Sequence, residues 1–208
     1  MQRLLRRGAR ALSSPDLLGA VLAGGESRRF GRDKAGELVG GVSLLERAAG
    51  TLSDVLPRVV VVAAHVPAAL VWPHVPDLRR GRGPLAGIEA ALGHAADLGL
   101  PGAFVLACDL PLVDAPTVRA VIDALGPDAL ASAPERAAPP GVEPLCAAYR
   151  VGCLPEVRGA LDREELAVHR LFARVRGVTV PVRAELLLNV NRPADAGRAE
   201  IALRHSGR

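Results

Sequence analysis

The chain has 208 residues and a formal charge of +4; half of it is hydrophobic, yet only 2% is aromatic. That length can bury a core without disulfides or a structural metal, and one α/β domain is the expected arrangement. So few rings exclude the stacking platforms that hold single-stranded nucleic acids, and no apolar run reaches the roughly 18 residues of a membrane span, so neither partner is expected.

Residues 1–16 carry Arg3, Arg6, Arg7 and Arg10, with Ser13 and Ser14 before Pro15, and lack the apolar stretch of a secretory signal; they are expected to form a disordered extension. Leu17 to Leu22 is the first strand-like run, and a glycine-rich stretch follows it. Ser43 with Glu46 makes a capping box, and Leu45, Ala48, Ala49, Leu52 and Leu56 recur at helical spacing, so a helix is expected from Ser43 to Leu56, stopped by Pro57. Val59 to Ala64 is a β-branched run of the kind buried on both faces of a parallel sheet. A looser segment with Pro67, Pro73 and Pro76 comes next. Gly83 and Pro84 open a helix through Leu98, Ala103 to Ala107 reads as a third buried strand, and Asp114 with Pro116 starts a helix ending near Leu125. Ala129 to Ala133 reads as a strand, and Pro134 to Gly141 as a mobile, Pro- and Ala-rich surface loop. A short strand from Glu143 to Tyr149, helical pieces to Arg174, a strand at Val178 to Val182 and a final helix after Pro193 complete the chain. Strands alternating with helices predict a mainly parallel sheet with helices on both faces. Cys108, Cys146 and Cys153 have no metal-binding spacing and are expected as reduced, buried residues of a cytoplasmic protein.

Four segments can carry chemistry. Leu22-Ala23-Gly24-Gly25-Glu26-Ser27-Arg28-Arg29-Phe30-Gly31-Arg32-Asp33-Lys34 directly follows the first strand, where open α/β sheets bind their ligands. Its glycines let backbone N–H groups approach a polyanion, and Arg28, Arg29 and Lys34 can neutralise it. The pattern is neither G-x-G-x-x-G nor the P-loop. Asp109, in Cys108-Asp109-Leu110-Pro111 after the third strand, can hold Mg2+ or simply form a turn. Gly83-Pro84-Leu85-Ala86-Gly87 at a helix start suits a phosphate or a base edge, with Gly87 equally explained by packing. In Asn189-Val190-Asn191, Asn191 can cap the last helix or face the metal and phosphates.

The run LAGGESRRFGRDK, with GPLAGI at Gly83 to Ile88, CDLP at Cys108 to Pro111, EPLCAAY at Glu143 to Tyr149 and NVNRP at Asn189 to Pro193, closely resembles the molybdenum cofactor guanylyltransferases. The matches keep the family's order from Leu17 to Leu203. The resemblance implies a Rossmann-like three-layer sandwich of the nucleotide-diphospho-sugar-transferase type, formed by residues 17–208 as one nucleotidyltransferase domain. It also implies GTP and Mo-molybdopterin as substrates, Mg2+ as cofactor, and a guanine-dinucleotide cofactor plus pyrophosphate as products. Molybdopterin-insertion factors or molybdoenzyme chaperones are expected partners. Carried over by position, Lys34, Arg29 and Asp109 would be catalytic. Leu22, Ala23, Gly24, Gly25, Lys34, Asp77, Gly83, Pro84, Leu85 and Asp109 would bind nucleotide, and Asp109, with Asn191, the metal. Two departures stand out: Phe30 replaces a usual Met, and Val62-Ala63-Ala64-His65 replaces a usual asparagine-containing stretch, leaving His65 to supply that contact. Transfer of CMP or another nucleotide to molybdopterin or to a sugar or polyol phosphate stays open, as does a non-catalytic protein that binds nucleotide and delivers cofactor. His74, His94, His169 and His205 are read as surface residues without a role.

Overall fold

A computed structural model of the chain describes residues 16–24, 34–65, 71–77, 79, 81–139 and 141–206. Its elements in chain order are β1 (Leu17–Leu22), β2 (Leu38–Val39), β3 (Val42–Ser43), α1 (Leu44–Ser53), β4 (Val59–Ala63), β5 (His74–Pro76), α2 (Pro84–Asp97), β6 (Gly102–Ala107), α3 (Ala115–Asp123), β7 (Ala131–Pro134), β8 (Cys146–Arg150), α4 (Leu154–Asp162), α5 (Val168–Arg174), β9 (Val178–Val180) and α6 (Pro193–Ser206). Seven strands form one sheet in the order β5-β4-β1-β6-β8-β7-β9. The pairs β5–β4, β4–β1, β1–β6 and β7–β9 are parallel, whereas β8 runs against both of its neighbours.

The strand pleat explains the layering. All six residues of β1 are buried, and alternate side chains serve opposite faces. Leu17 and Val21 join α1, α3 and α6 in one core, with Leu44, Leu52, Val118, Ile122 and Ala199. Leu18, Ala20 and Leu22 join α2, α4 and α5 in the other, with Leu85, Leu92, Val157, Leu161 and Phe172. The result is the three-layer α/β arrangement with a mainly parallel sheet that the sequence predicts. Two large side chains, Phe104 and Tyr149, sit fully buried on neighbouring strands β6 and β8, and the tyrosine hydroxyl donates to the Pro144 carbonyl at 2.8 Å.

The capping box forms: Ser43 Oγ accepts from the Glu46 N–H at 3.2 Å, and the Ser43 N–H donates to Glu46 Oε2 at 3.1 Å. Other details differ from expectation. The loose segment contains β5, an edge strand, which accommodates Pro76 because an edge position needs no ladder donor from it. His74 is accordingly half-buried on β5, its ring nitrogen 2.9 Å from the Ala63 carbonyl, rather than a plain surface residue. β2 and β3 form a hairpin through Gly40 and Gly41, both at positive φ, the two-glycine turn that matches strand twist. The connection expected as a mobile surface loop is tied across its base. Glu135 bridges Val142, the Glu143 N–H donates to the Pro134 carbonyl at 2.9 Å, and the Arg136 N–H donates to the Gly141 carbonyl at 3.1 Å. Among the described residues no helix is long and apolar enough to cross a membrane.

Candidate active site at the carboxyl ends of β1 and β6

Because β1 and β6 are adjacent and parallel, with Leu22 opposite Ala107, the segments that follow them leave the sheet side by side. Ala23 and Gly24 therefore emerge beside Cys108 and Asp109. The Leu22 carbonyl accepts from the Cys108 N–H at 3.2 Å, and the Ala23 N–H donates to the Val62 carbonyl at 3.0 Å. Those two atoms thus already have partners in the sheet. A Cβ built at Gly24 would meet no atom of the described residues within 4 Å. Gly25 and Arg29 lie outside the described residues.

The chain returns at Lys34, in a single 3-10 turn (Lys34–Gly36). Its ammonium reaches across to Asp109 Oδ2 at 2.8 Å and to Asn191 Oδ1 at 2.8 Å. Lys34 and Asp109 are 19% and 24% exposed, so this ion pair is partly shielded yet open to a ligand. The turn leading into α6 is braced by Asp195, whose carboxylate accepts from the Asn191 and Arg192 N–H groups at 3.0 and 2.9 Å, while the Asn191 amide oxygen faces Lys34. The Val190 N–H donates to the Asp109 carbonyl at 2.9 Å, which locks the 189–191 segment against the end of β6.

Beneath Asp109 lies a polar chain. With the Asn189 carboxamide turned to satisfy its neighbours, its Nδ2 is 3.2 Å from Asp109 Oδ1, and its Oδ1 accepts from Arg136 at 3.0 Å. The Arg136 guanidinium also donates to the Leu187 carbonyl. Arg136 Nε lies 2.9 Å from Glu143 Oε2 but is poorly aligned for a hydrogen bond, so the contact is an ion pair by distance. Glu143 is only 7% exposed; burial pushes its carboxyl above the ordinary carboxylate range, and the Arg136 charge opposes that rise. Asn189, Arg136 and Glu143 are the site residues that the motif reading misses. Asn189 and Glu143 each stood inside a quoted motif without a role, whereas Arg136 lies in what reads as a surface loop.

The remaining expected contacts lie across β4. Asp77 follows β5; its N–H donates to the Ala63 carbonyl at 3.1 Å, and its Oδ1 accepts from the Arg79 N–H at 3.0 Å. Burial raises the Asp77 carboxyl, the Arg79 N–H works against that, and Glu89 adds to it. Gly83 precedes α2 at φ 65° and ψ −163°, a conformation only glycine adopts without strain, and as the N-cap residue it brings no side chain of its own to cap that helix. Pro84 brings no N–H of its own, and the Leu85 side chain is fully buried, so a ligand here can meet Leu85 only through its backbone. Gly87 has a packing reason: a Cβ there would press to 3.0 Å on Leu22. His65, just beyond β4, is exposed.

Comparison with known proteins accords with this geometry. Residues 19–179 match the family model of the MobA-like NTP transferase domain. The chain is 37% identical to a probable molybdenum cofactor guanylyltransferase of Deinococcus radiodurans, the alignment covering 90% of this chain and 97% of that protein. It is 32% identical to the molybdenum cofactor guanylyltransferase of Desulfosudis oleivorans, over 89% and 95%. The crystal structure of molybdopterin-guanine dinucleotide biosynthesis protein A from Archaeoglobus fulgidus superimposes with a TM-score of 0.75 at 26% identity, over 91% of this chain and all of that one. A cytidylyltransferase from Thermus thermophilus shares the fold, with a TM-score of 0.67 at 22% identity. A nucleotidyltransferase fold, a lysine and a carboxylate joined across the ends of β1 and β6, and relatives that align over nearly their whole length lead to one conclusion: this chain belongs to the molybdenum cofactor guanylyltransferases, nucleotidyltransferases with a MobA-like NTP transferase domain.

Proposed function

We propose that the chain transfers GMP from GTP to Mo-molybdopterin, releasing pyrophosphate. The observation that carries this reading is the junction of Lys34, Asp109 and Asn191 at the carboxyl ends of β1 and β6, in a chain whose relatives carry that activity in their names. Those three side chains have distinct tasks. The two oxygens facing Lys34 belong to a carboxylate and an amide, hard donors of the kind Mg2+ takes alongside water and substrate phosphates. Asp109 and Asn191 would hold that ion, and when bound it neutralises charge on the triphosphate.

The acceptor's terminal phosphate attacks the α-phosphorus of GTP in line. A P–O bond forms there, the bond from the α-phosphorus to the bridging oxygen breaks, and its electrons leave on pyrophosphate. Both substrates are anions, so the protein's contribution is positioning and charge compensation rather than a covalent nucleophile. Lys34, together with Arg29 from the glycine-rich loop, balances charge gathering on the leaving pyrophosphate. No general base is required, because a phosphate nucleophile is already ionised at neutral pH. Gly25 and peptide groups of 22–24 other than the two engaged in the sheet approach the nucleotide, joined by Asp77 and the Gly83-Pro84-Leu85 backbone at the start of α2. The product passes to a molybdenum-cofactor insertion factor or chaperone.

Comparison of GTP, CTP and ATP in a pyrophosphate-release assay with Mg2+ and Mo-molybdopterin tests the nucleotide. GTP should be preferred. A preference for CTP would tie the replaced asparagine stretch at Val62 to His65 to pyrimidine use and reject the guanine assignment.

A further inference from the structure

The Arg136–Glu143 pair sets a buried carboxylate against a guanidinium that stays 29% exposed. A part-exposed pair of this kind adds little net stability, so stability alone does not account for it. Here the pair lies inside a short tied connection, with Glu135 bridging Val142 and Glu143 bonded back to Pro134, so the hairpin itself sets Arg136 and Glu143 side by side. The guanidinium has a fixed fork: Nε faces Glu143, while the far nitrogen reaches the Leu187 carbonyl and the Asn189 amide oxygen. The amide oxygen held by Arg136 obliges the amide nitrogen to point the other way, at Asp109 Oδ1 3.2 Å off. That leaves Oδ2 as the oxygen turned toward Lys34, whose ammonium also meets Asn191 Oδ1.

We propose that Arg136 and Glu143 are positioning residues, acting through Asn189 to fix the rotation of the Asp109 carboxylate so that one oxygen always faces the metal-triphosphate. This rests on the reading of Asp109 as the metal-holding carboxylate. Groups that orient metal ligands usually matter about 10- to 100-fold in metal affinity. A merely structural pair would move thermal stability alone.

The test uses Mn2+ as the probe, its free concentration read by electron paramagnetic resonance in the presence of GTP and purified full-length protein, for wild type, Arg136→Met, Glu143→Gln and Asp109→Ala. Circular dichroism checks folding. Arg136→Met and Glu143→Gln should weaken Mn2+ binding about tenfold. They should raise the metal concentration for half-maximal turnover to match, while kcat at saturating metal stays within about threefold. Arg136→Lys should not rescue, because an ammonium cannot span Glu143 and Asn189 together. If Asp109→Ala binds Mn2+ like wild type, the metal role of Asp109 falls, and this proposal with it. If Asp109→Ala weakens binding and the two positioning variants do not, this proposal alone falls. Loss of folding in both positioning variants would make the pair structural and likewise overturn it.

Discussion

Lys34 occupies an ambivalent position. Its ammonium lies 2.8 Å from each of the two oxygens, on Asp109 and Asn191, that are assigned to the metal. Ammonium and metal therefore compete for the same donors, and a bound triphosphate gives Lys34 an alternative partner in its phosphates. Two measurements follow. Lys34→Ala and Asp109→Ala should each lower turnover by at least about two orders of magnitude, as loss of a group that stabilises transition-state charge does, with circular dichroism unchanged. Near-normal rates in both would refute the site. In the absence of nucleotide, however, Lys34→Ala should bind Mn2+ more tightly than wild type, and Asp109→Ala more weakly. Equal affinities for Lys34→Ala and wild type would show that the lysine does not guard those oxygens.

At the level of elements, the close approach of β6 and β8 is set by glycine. A Cβ at Gly102 would lie 2.3 Å from the backbone oxygen of Tyr149, a strand atom that cannot step aside without breaking the pairing of Gly102 with Arg150. Gly102→Ala should cost about 1–3 kcal/mol, seen as a lower denaturant midpoint at an unchanged slope. An unaltered midpoint would mean that the strands separate more easily than the register implies. The elements legible in the sequence were those whose pattern is local. β1, β4 and β6 are uninterrupted apolar runs because both of their faces are covered, and α1 announces itself through the Ser43–Glu46 box. The β2–β3 hairpin had a signal in Gly40-Gly41, but its strands have only two residues each, too few for alternation to register. β5 was hidden by the prolines at 73 and 76. In the site, Lys34, Asp109 and Asn191 stood out because each sits in a glycine-, proline- or asparagine-marked segment, Asp109 just after a strand and Asn191 just before the last helix. Arg136 and Glu143 did not, since their partnership depends on a hairpin and on a third residue more than forty positions away in sequence, beyond the reach of any periodicity.

For the molecule as a whole, the sheet divides two apolar cores and brings Lys34, Asp109 and Asn191 together where β1 and β6 end, with Asp77 and Gly83 across β4. The cysteines belong to the cores rather than to the chemistry. All three are buried and form no disulfide among the described residues, and burial pushes the Cys153 thiol up to about 12 and the Cys146 thiol further still. A thiol reagent at pH 8 should therefore leave Cys146 and Cys153 unmodified in the native protein and label them only as it opens, at a rate that follows global unfolding. Rapid labelling of either in the folded state would contradict the packing of β8 and its following turn. The central claim is that this edge joins one nucleotide to one phosphate-bearing acceptor. Its most direct measurement is the mass of the product formed from Mg2+, GTP and Mo-molybdopterin: an acceptor heavier by one guanylyl group, appearing with pyrophosphate and formed at least about two orders of magnitude more slowly with Asp109→Ala, is the predicted result. Unchanged acceptor mass with wild-type protein, or an adduct that forms equally well with Asp109→Ala, would contradict it.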